Sequence, residues 1–344
     1  MTKRGALREA ERFLENRLAV LRDYIESPDV NEILINGEND VFVEARGAMT
    51  RVDVQIDEVA IDSAIRAVMM INAKDAGNIM DARLDGMRVA AALPPVAIHG
   101  PMMAIRKHAR RRFRLDEYVE SGAFERLRAA EVAESRDEAP EMEAAASAGG
   151  AGLATFLRWA IRAKKNLLLS GGTSSGKTTL LSSCLLEIPA EDRIITCEDT
   201  NEIVIEQPNR VQLEAFQPAG IGIRDLIRLC LRSRPDRIIV GEIRGPEAYD
   251  FLDAMNTGHP GSLCTLHADS PEQALTRLES LMRMAPAATN LPLRDMRGQI
   301  ASAIDYVVFQ SRAGGRRAPQ KILALDGVDD DGQYRTRVVF DRFF

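Results

Sequence analysis

The sequence predicts an α/β protein in which a doubly wound, mostly parallel sheet is preceded by a smaller α+β domain. In residues 153–344, short apolar runs alternate with helix-like patterns, and a glycine-rich loop follows the first run. In residues 1–115, short extended segments lie between turn signals, with helical patterns around them. Residues 116–152 are acidic and rich in alanine, and we expect them to link the two domains.

The composition excludes several classes of protein. With 45% hydrophobic and 28% charged residues, neither a disordered nor a fibrous chain is expected. No apolar run approaches the roughly 18 residues of a membrane-spanning helix, and the opening MTKRGALREAERFLE lacks the apolar region of a signal peptide. The four cysteines form no pair at metal-ligand spacing, so we expect them to be reduced and buried. These features predict a cytoplasmic protein without a membrane span.

The net charge of −6 comes from the linker. Residues 116–150 hold ten acidic residues and three arginines, so the rest of the chain is nearly neutral. The second half of this segment, EVAESRDEAPEMEAAASAGG, has almost no large apolar side chain and cannot bury enough surface to fold alone. We therefore expect a solvated linker.

The N-terminal domain is predicted from spacing. Apolar residues at helical intervals from Leu14 to Ile25 predict an amphipathic helix that ends before Pro28. A second helix is predicted over 61–69. Extended runs predict strands at 33–35, 41–43, 52–56, 89–93 and 102–105.

The last of these strands runs into a basic segment, 106–114, which has six Lys and Arg residues and no acidic one. Three interpretations are open: a nucleic-acid arm, a solvated face beside the acidic linker, or cation contacts to a nucleotide or a neighbouring subunit. No helix-turn-helix, RRM or aromatic platform accompanies the segment, so a nucleic-acid partner is not expected.

A phosphate-binding loop opens the C-terminal domain. The apolar run 166–170 leads into GGTSSGKTT at 171–179 and then into a helical pattern, which is the strand, loop and helix context that G-x-x-x-x-G-K-[ST] requires. Glycines let backbone N–H groups turn toward phosphate oxygens, Lys177 would reach the β- and γ-phosphates, and the Thr178 hydroxyl would bind Mg²⁺. The residues expected to bind nucleotide here are Gly171, Gly172, Thr173, Ser174, Ser175, Gly176, Lys177, Thr178 and Thr179.

Acidic residues follow the next two predicted strands. The run 193–197 ends in Glu198 and Asp199, with Glu202 close behind, and the run 236–240 ends in Gly241 and Glu242. The carboxyl ends of parallel strands form the ligand edge of such a sheet, so both groups should lie beside the loop. One carboxylate would hold Mg²⁺ and another would accept a proton from the attacking water. Spacing favours Glu242 as the carboxylate that holds Mg²⁺ and Glu198 or Glu202 as the general base. The alternative is that these acidic residues only cap turns.

Two histidines bracket the next apolar run, 262–266. His267 follows it directly and precedes a helix start at Ser270, while His259 precedes it. An imidazole at the ligand edge could sense the γ-phosphate or its departure. The alternative is a histidine that only satisfies a local hydrogen bond.

The order and spacing of four segments resemble the Walker A, Asp, Walker B and His boxes of the type II/type IV secretion ATPases. They are GGTSSGKTT, ITCEDTNEI at 195–203, RPDRIIVGEIRGPEA at 234–248 and MNTGHPGSLCTLHADSPEQALTRLE at 255–279. Within that superfamily the chain looks closest to the ATPases of Tad (Flp) pilus assembly, and next to the conjugative and type IV secretion traffic ATPases. Ser174 departs from the pattern, because the family commonly has glycine there.

This resemblance implies a PAS-like domain at 1–115, a linker at 116–152 and a RecA-like ATPase domain at 153–344, assembled as a homo-hexameric ring. It further implies that the nucleotide lies between the domains. The arginines that match family positions near the phosphates or the subunit interface are Arg88, Arg106, Arg224 and Arg244.

The function expected from the resemblance is a Mg²⁺-dependent ATPase motor. ATP hydrolysis would move the N-terminal domain and drive pilus assembly or protein secretion through an inner-membrane platform protein, with the motor bound peripherally to the membrane. The catalytic residues would be Lys177, Glu198, Glu242 and His267, and His259 would also contact the nucleotide. The alternatives are a conjugative or type IV secretion traffic ATPase, and a nucleotide-gated scaffold with negligible turnover.

Overall fold

Two β-sheets organise the computed structural model of the chain, which describes residues 16–71, 77–84, 86–108, 114–120, 138–313 and 315–343. The first sheet has six antiparallel strands and the second has eight strands, most of them parallel. The expected mixed α/β class with a mostly parallel C-terminal sheet is confirmed.

The N-terminal sheet has the strand order β3-β2-β1-β6-β5-β4. After a 3₁₀ turn at Ala19–Leu21, the N-terminal elements are α1 (Arg22–Glu26), β1 (Val30–Ile35), β2 (Val41–Ala45), β3 (Ala48–Val52), α2 (Glu58–Ile71), β4 (Ile79–Arg83), β5 (Met87–Ala92), β6 (Met102–Lys107) and α3 (Leu115–Glu120). Helix α2 covers one face, because Ile61, Ile65 and Val68 recur at helical spacing and pack with the buried residues of β1 and β6.

Two N-terminal predictions differ from the structure. The third strand ends at Val52, and Val54 and Ile56 are buried beyond it without joining the sheet. The alternation of apolar residues at 52–56 therefore indicates burial and does not indicate a strand. The predicted first helix is split into a 3₁₀ turn and the short α1, and its start at Leu14 lies outside the described residues.

The C-terminal sheet has the strand order β14-β13-β12-β7-β11-β10-β8-β9. Its elements are α4 (Ala139–Ser147), α5 (Gly150–Arg162), β7 (Leu167–Gly171), α6 (Lys177–Leu185), β8 (Ile194–Glu198), β9 (Arg210–Glu214), α7 (Ile223–Cys230), β10 (Arg237–Val240), α8 (Glu247–Asn256), β11 (Leu263–His267), α9 (Pro271–Arg283), α10 (Leu293–Ala303), β12 (Tyr306–Ala313), β13 (Arg316–Val328) and β14 (Tyr334–Asp341). Strands β13 and β14 are antiparallel additions at one edge.

Helices cover both faces of this sheet. Leu167 and Leu169 of β7 pack in one hydrophobic cluster with Leu181 of α6, whereas Leu168 packs in a second cluster with Leu226 of α7. Successive side chains of a strand point to opposite faces, so the continuous apolar run of β7 is explained by burial on both sides. None of the helices in the described segments has both the length and the apolarity needed to cross a bilayer.

The predicted linker ends in a packed helix. Helix α4 lies within the expected linker 116–152, and its Ala146 is fully buried in the cluster of α5 and β7. Glu143 accepts hydrogen bonds from Tyr306 of β12 and from Arg337 of the edge strand β14. Small residues allow this packing, since a Cβ at Gly152 would lie 2.0 Å from the Ala145 carbonyl oxygen. Residues 121–137 lie outside the described part.

The two domains share a hydrophobic cluster and a buried polar contact. Val96 and Ala97 pack with Leu213 of β9, and Ala97 forms a β-bridge to Leu213. The fully buried Arg193 donates from Nη1 to Asn36 Oδ1 at 2.7 Å. Burial lowers the pKa of the Arg193 guanidinium to about 10. The N-terminal domain is therefore held against strand β9.

All four cysteines are buried and free, as expected. Cys197 of β8 and Cys230 of α7 lie with their sulfur atoms 3.3 Å apart. Burial raises the pKa of the Cys264 thiol well above its ordinary value, and burial also raises that of Cys197. These thiols act as small apolar core residues.

A buried ion pair under the central sheet gives a stability test. Arg237 Nε donates to Asp192 Oδ2 at 2.7 Å, and the arginine side chain is fully buried. We expect Asp192→Ala to lower the free energy of unfolding by about 3–5 kcal/mol, because it leaves a buried guanidinium unpaired. Chemical denaturation measures this, with Asp62→Ala as the control.

Asp62 forms an exposed pair with Arg66 one helical turn away, and such pairs contribute about 0.3–0.5 kcal/mol. Equal losses for the two variants would contradict the importance of the buried pair.

Candidate functional site

The phosphate-binding loop turns sharply between β7 and α6. Gly171 has a φ of +156°, and a Cβ there would lie 2.1 Å from the Gln310 carbonyl oxygen. Gly176 has a φ of +91° and caps the start of α6. Both positions need glycine, the first for close approach and the second for its left-handed backbone. The loop therefore ends with the N-terminal N–H groups of α6 directed at its interior.

Ser174 occupies the left-handed region with a φ of +59°. This is the position where the resembling family commonly has glycine. A side chain in this region costs about 1–2 kcal/mol relative to ordinary backbone. The departure from the motif thus preserves the loop conformation and stores some strain in it.

The Lys177 ammonium is held inside the loop. Its Nζ donates to the carbonyl oxygens of Gly171 and Gly172, both at 3.0 Å, and lies 3.5 Å from His267 Nδ1. Burial lowers the pKa of Lys177, and the nearby Glu242 carboxylate partly opposes this. The amine is thus positioned where phosphate oxygens would enter the loop.

A chain of polar contacts joins the ends of β11 and β10. His267 Nε2 lies 3.2 Å from Glu242 Oε1, and Arg244 Nη2 donates to Glu242 Oε2 at 2.7 Å. Arg244 Nη1 also lies 3.5 Å from Asp199 Oδ2. An imidazole tautomer with its hydrogen on Nε2 satisfies both contacts of His267, since Nδ1 can accept from Lys177 and Nε2 can donate to Glu242. The structure therefore links Lys177, His267, Glu242 and Arg244 in one series of contacts.

Glu198 is buried at the end of β8. Its Oε1 accepts hydrogen bonds from the backbone N–H groups of Glu202 and Ile203, both at 3.0 Å. Its Oε2 is buried and has no hydrogen-bond partner among the described residues. Burial raises the pKa of this carboxyl above its ordinary value, against the effect of the two N–H donors. Such a group is suited to accept a proton on Oε2.

A cavity of about 130 Å³ lies at the acidic end of this group of side chains. Its lining residues are Thr178, Glu198, Asp199, Thr200, Glu202, Gly241, Glu242 and Arg244. Strand register brings them together, because Val240 pairs with Cys197 and His267 pairs with Gly171 across parallel strands. Thr178, the residue after Lys177, is the member of the phosphate-binding motif that lines this cavity.

The donor set fits Mg²⁺. Thr178 and Glu242 offer a hydroxyl and a carboxylate, and the Glu198 carboxyl group belongs to a further residue that lines the cavity. No group of three or more His, Cys, Asp or Glu residues in the described ranges is arranged to hold a metal alone. Mg²⁺ usually takes one or two protein oxygens and completes its shell with water and phosphate, so the two observations agree.

The remaining predicted residues lie apart from this cluster. His259 Nδ1 contacts the Ala254 carbonyl oxygen at 3.1 Å, before the start of β11. A five-residue strand spans about 16 Å, so His259 is at the opposite sheet edge from His267. Arg224 pairs with Asp250 of α8 at 2.6 Å. Among the loop residues, Thr173 and Thr179 are exposed.

Arg88 and Arg106 are neighbours in the N-terminal sheet. They pair in register across β5 and β6 and line a separate cleft of about 780 Å³ with Arg234. Arg88 Nε lies 3.1 Å from Asp81, and Arg106 Nε lies 3.6 Å from Glu32. Neither arginine lines the cavity at the phosphate-binding loop within this chain.

Sequence reasoning missed Gln310 of β12. Its Nε2 donates to the Ser175 carbonyl oxygen at 3.0 Å, and the side chain is buried. No motif contains this residue, since it lies 135 positions from Ser175. The only available signal was a polar residue at the end of an apolar run, YVVFQ at 306–310. Gln310 braces the loop from the strand beside β7.

Comparisons with known proteins relate the chain to one family. Residues 132–313 match the family described as Type II/IV secretion system protein. The conjugal transfer protein TrbB of Rhizobium radiobacter is 34% identical over 333 residues, 93% of this chain and 90% of that protein. The type IV secretion system protein VirB11 of Bartonella quintana is 30% identical, over 87% of this chain and 89% of that one.

A solved structure is also similar. The crystal structure of the VirB11 ATPase from the Brucella suis type IV secretion system, in complex with sulphate, superposes with a TM-score of 0.84 and 30% identity. The match covers 92% of this chain and 96% of that one. The likeness therefore extends over both domains.

The buried carboxylate of Glu198 predicts a pH-dependent stability effect. Because its folded-state pKa is raised, the folded protein binds more protons than the unfolded chain between the two pKa values, and the free energy of unfolding falls as pH rises through that window. We expect the Glu198→Gln substitution to raise the free energy of unfolding by about 1 kcal/mol at pH 8, which is the lower end of the free-energy cost of a buried unpartnered group.

The gain in stability should disappear as the pH falls to the pKa that this glutamate has in the unfolded chain. Urea denaturation at several pH values measures the gain. Glu202→Gln, an identical change at an exposed residue lining the same cavity, is the control. If the Glu198→Gln variant were less stable than wild type at pH 8, burial of the charged carboxylate would not be destabilising.

Proposed function

The chain belongs to the type II/IV secretion system protein family and is an ATP-hydrolysing enzyme, and we propose that it is the Mg²⁺-dependent motor of a type IV secretion or conjugation machine. The observation that carries the catalytic part is the convergence of Lys177, Glu198, Glu242 and His267 on one sheet edge. The names of relatives that match about nine-tenths of the chain favour this machine over Tad pilus assembly.

Nucleotide binding begins with the loop. The N–H groups of the loop and of the first turn of α6 would bind the β-phosphate. Lys177 Nζ would exchange its contacts with the Gly171 and Gly172 carbonyl oxygens for phosphate oxygens. Its lowered pKa, caused by burial, would rise again when a polyanion enters.

Thr178 and Glu242 would hold Mg²⁺. Bound there, the ion would offset the negative charge of the phosphates. Glu242 is kept in place by His267 on one oxygen and by Arg244 on the other. These two residues therefore orient the carboxylate, and loss of either contact would change the geometry of the cavity.

Glu198 is the proposed general base. Its Oε1 is fixed by two backbone donors, so Oε2 is left to accept a proton from water. The water oxygen would form a bond to the terminal phosphorus as the bond from that phosphorus to the leaving ADP oxygen breaks. A pKa raised by burial brings the base closer to the working pH, which favours proton transfer.

Arg244 and His267 would report on the terminal phosphate. Arg244 pairs with Glu242 and Asp199 and is mostly exposed, so it can move toward charge that develops during transfer. His267 contacts both Lys177 and Glu242, so movement of either side chain when the phosphate changes would alter a contact of His267.

The mechanical part of the proposal is a hexameric ring that transmits this change through the N-terminal domain to an inner-membrane platform. The N-terminal domain contacts β9, the strand next to β8, which ends in Glu198. Arg88 and Arg106 lie in a separate cleft, so their proposed approach to a nucleotide requires domain movement or a neighbouring copy in the ring.

Two substitutions separate binding from turnover. We expect Lys177→Ala to lose ATP binding and at least about 100-fold in kcat/KM, because it removes a phosphate contact. We expect Glu198→Gln to lose about 100-fold or more in kcat while ATP affinity stays within about threefold, because only proton acceptance is removed.

Steady-state phosphate release and equilibrium nucleotide binding measure these effects. Lys165→Ala, a lysine at the other end of β7 that lies 3.4 Å from Asp305, should resemble wild type. Wild-type turnover equal to that of Lys177→Ala would favour a nucleotide-gated scaffold instead of a motor.

The machine can be identified in the cell. Deletion of the gene should abolish conjugal transfer or type IV secretion, and wild type but not Lys177→Ala should restore it, because transport needs hydrolysis. Surface piliation by Tad pili should not change. Loss of Tad pili with intact transfer and secretion would assign the motor to pilus assembly.

A further inference from the structure

The hairpin of β12 and β13 borders the phosphate-binding loop on the side away from the catalytic acids. Strand β7, which leads into the loop, lies between β11 and β12 in the sheet. Strands β10 and β8, which carry the acids, lie beyond β11. The two flanks of the loop therefore present different chemistry.

Side chains of the hairpin contact the loop directly. Gln310 Nε2 donates to the Ser175 carbonyl oxygen at 3.0 Å, and a Cβ built at Gly176 would lie 3.3 Å from Arg317 Cδ. Register pairs Arg317 with Arg312, two residues beyond Gln310. Paired residues, and residues two apart on one strand, share a face of a sheet. Gln310, Arg312 and Arg317 thus form one face of the hairpin toward the loop.

Both arginines of this face are available for a ligand. Neither Arg312 nor Arg317 has an ion-pair or side-chain hydrogen-bond partner within the described ranges, and both are exposed. Gln310 Oε1 and Ser175 Oγ beside them are buried and also lack partners there. The face therefore combines the two planar guanidinium groups with the buried polar side chains of Gln310 and Ser175.

The positions of the acids fix the direction of the nucleotide. The terminal phosphate must lie near Glu198, Glu242 and His267, on the β11 flank of the loop. The loop itself holds the middle of the phosphate chain. The opposite end of the ligand, with the α-phosphate and the nucleoside, must then leave the loop on the flank of β12 and β13.

We propose that Arg317, supported by Arg312, binds the nucleoside end of ATP and ADP. This assignment rests on the proposed catalytic site. A guanidinium can pair with the α-phosphate and stack on a purine ring, whereas it would not reach the reacting γ-phosphate from this flank. The contact is the same before and after hydrolysis, so it contributes affinity without contributing to the chemical step.

The test uses Arg317→Ala in the full chain. The dissociation constants of ATP and ADP should both rise about tenfold, the size of one charge-assisted contact, and their ratio should stay within about twofold of wild type. The KM for ATP should rise by a similar factor with kcat unchanged within about twofold. Arg317→Lys, which keeps the charge but not the planar group, should be intermediate.

Arg316→Ala is the matched control, because it removes the same charge from the adjacent exposed residue on the other face of β13. Equal affinities for wild type and Arg317→Ala, or equal losses in the Arg317 and Arg316 variants, would overturn the inference. So would a loss for ATP alone, which would place Arg317 at the γ-phosphate. Failure of wild type to bind either nucleotide would instead overturn the catalytic site itself.

Discussion

The site depends on the parallel register of four buried strands. His267 pairs with Gly171, and Val240 pairs with Cys197, so the residues immediately after these strands emerge side by side. The hydrophobic clusters on both faces hold the strands in that register, because each buried side chain fills a particular place in a close-packed cluster. Packing of the core therefore determines which strand ends meet at the edge where Lys177 and the acids lie.

This arrangement places charged groups where burial is costly. Glu198 and Lys177 are both largely buried. Burial raises the pKa of Glu198 and lowers that of Lys177, which favours the neutral form of each. Such shifts concentrate at functional sites, where stability is exchanged for chemistry. The strained backbone of Ser174 is a further local cost at the same loop. The buried pair of Arg237 and Asp192 shows the contrast, since there each charge has its partner.

Much of the site was predictable, because a motif and one topological rule determine it. The loop sequence implies a strand before it and a helix after it, and parallel strands bring the residues at their carboxyl ends to one edge. That rule placed Glu198, Glu242 and His267 correctly relative to Lys177. It also argues against His259, because a residue before a parallel strand belongs to the opposite edge. The sequence pattern assigned His267 to the ligand edge and showed only that His259 precedes the same strand.

The parts that were missed lack a strong local pattern. Strand β13 is long but contains Pro319 and several charged residues, and its pairing with β12 is a non-local choice. Gln310 contacts the loop only because β12 lies beside β7. Helix α4 resembles a linker in composition, yet its Ala146 packs in an apolar cluster and its Glu143 contacts Tyr306 and Arg337 far along the chain. Composition describes a segment alone, whereas packing depends on its partners.

The central claim is that one triphosphate lies between the loop, the two carboxylates and His267. A crystal structure with Mg²⁺ and a non-hydrolysable ATP analogue tests it most directly. Lys177 Nζ should then contact phosphate oxygens in place of the Gly171 and Gly172 carbonyls, with Glu198 Oε2 within hydrogen-bond reach of a water at the terminal phosphate. A nucleotide bound in the loop with its terminal phosphate directed away from Glu198 and His267 would contradict the claim.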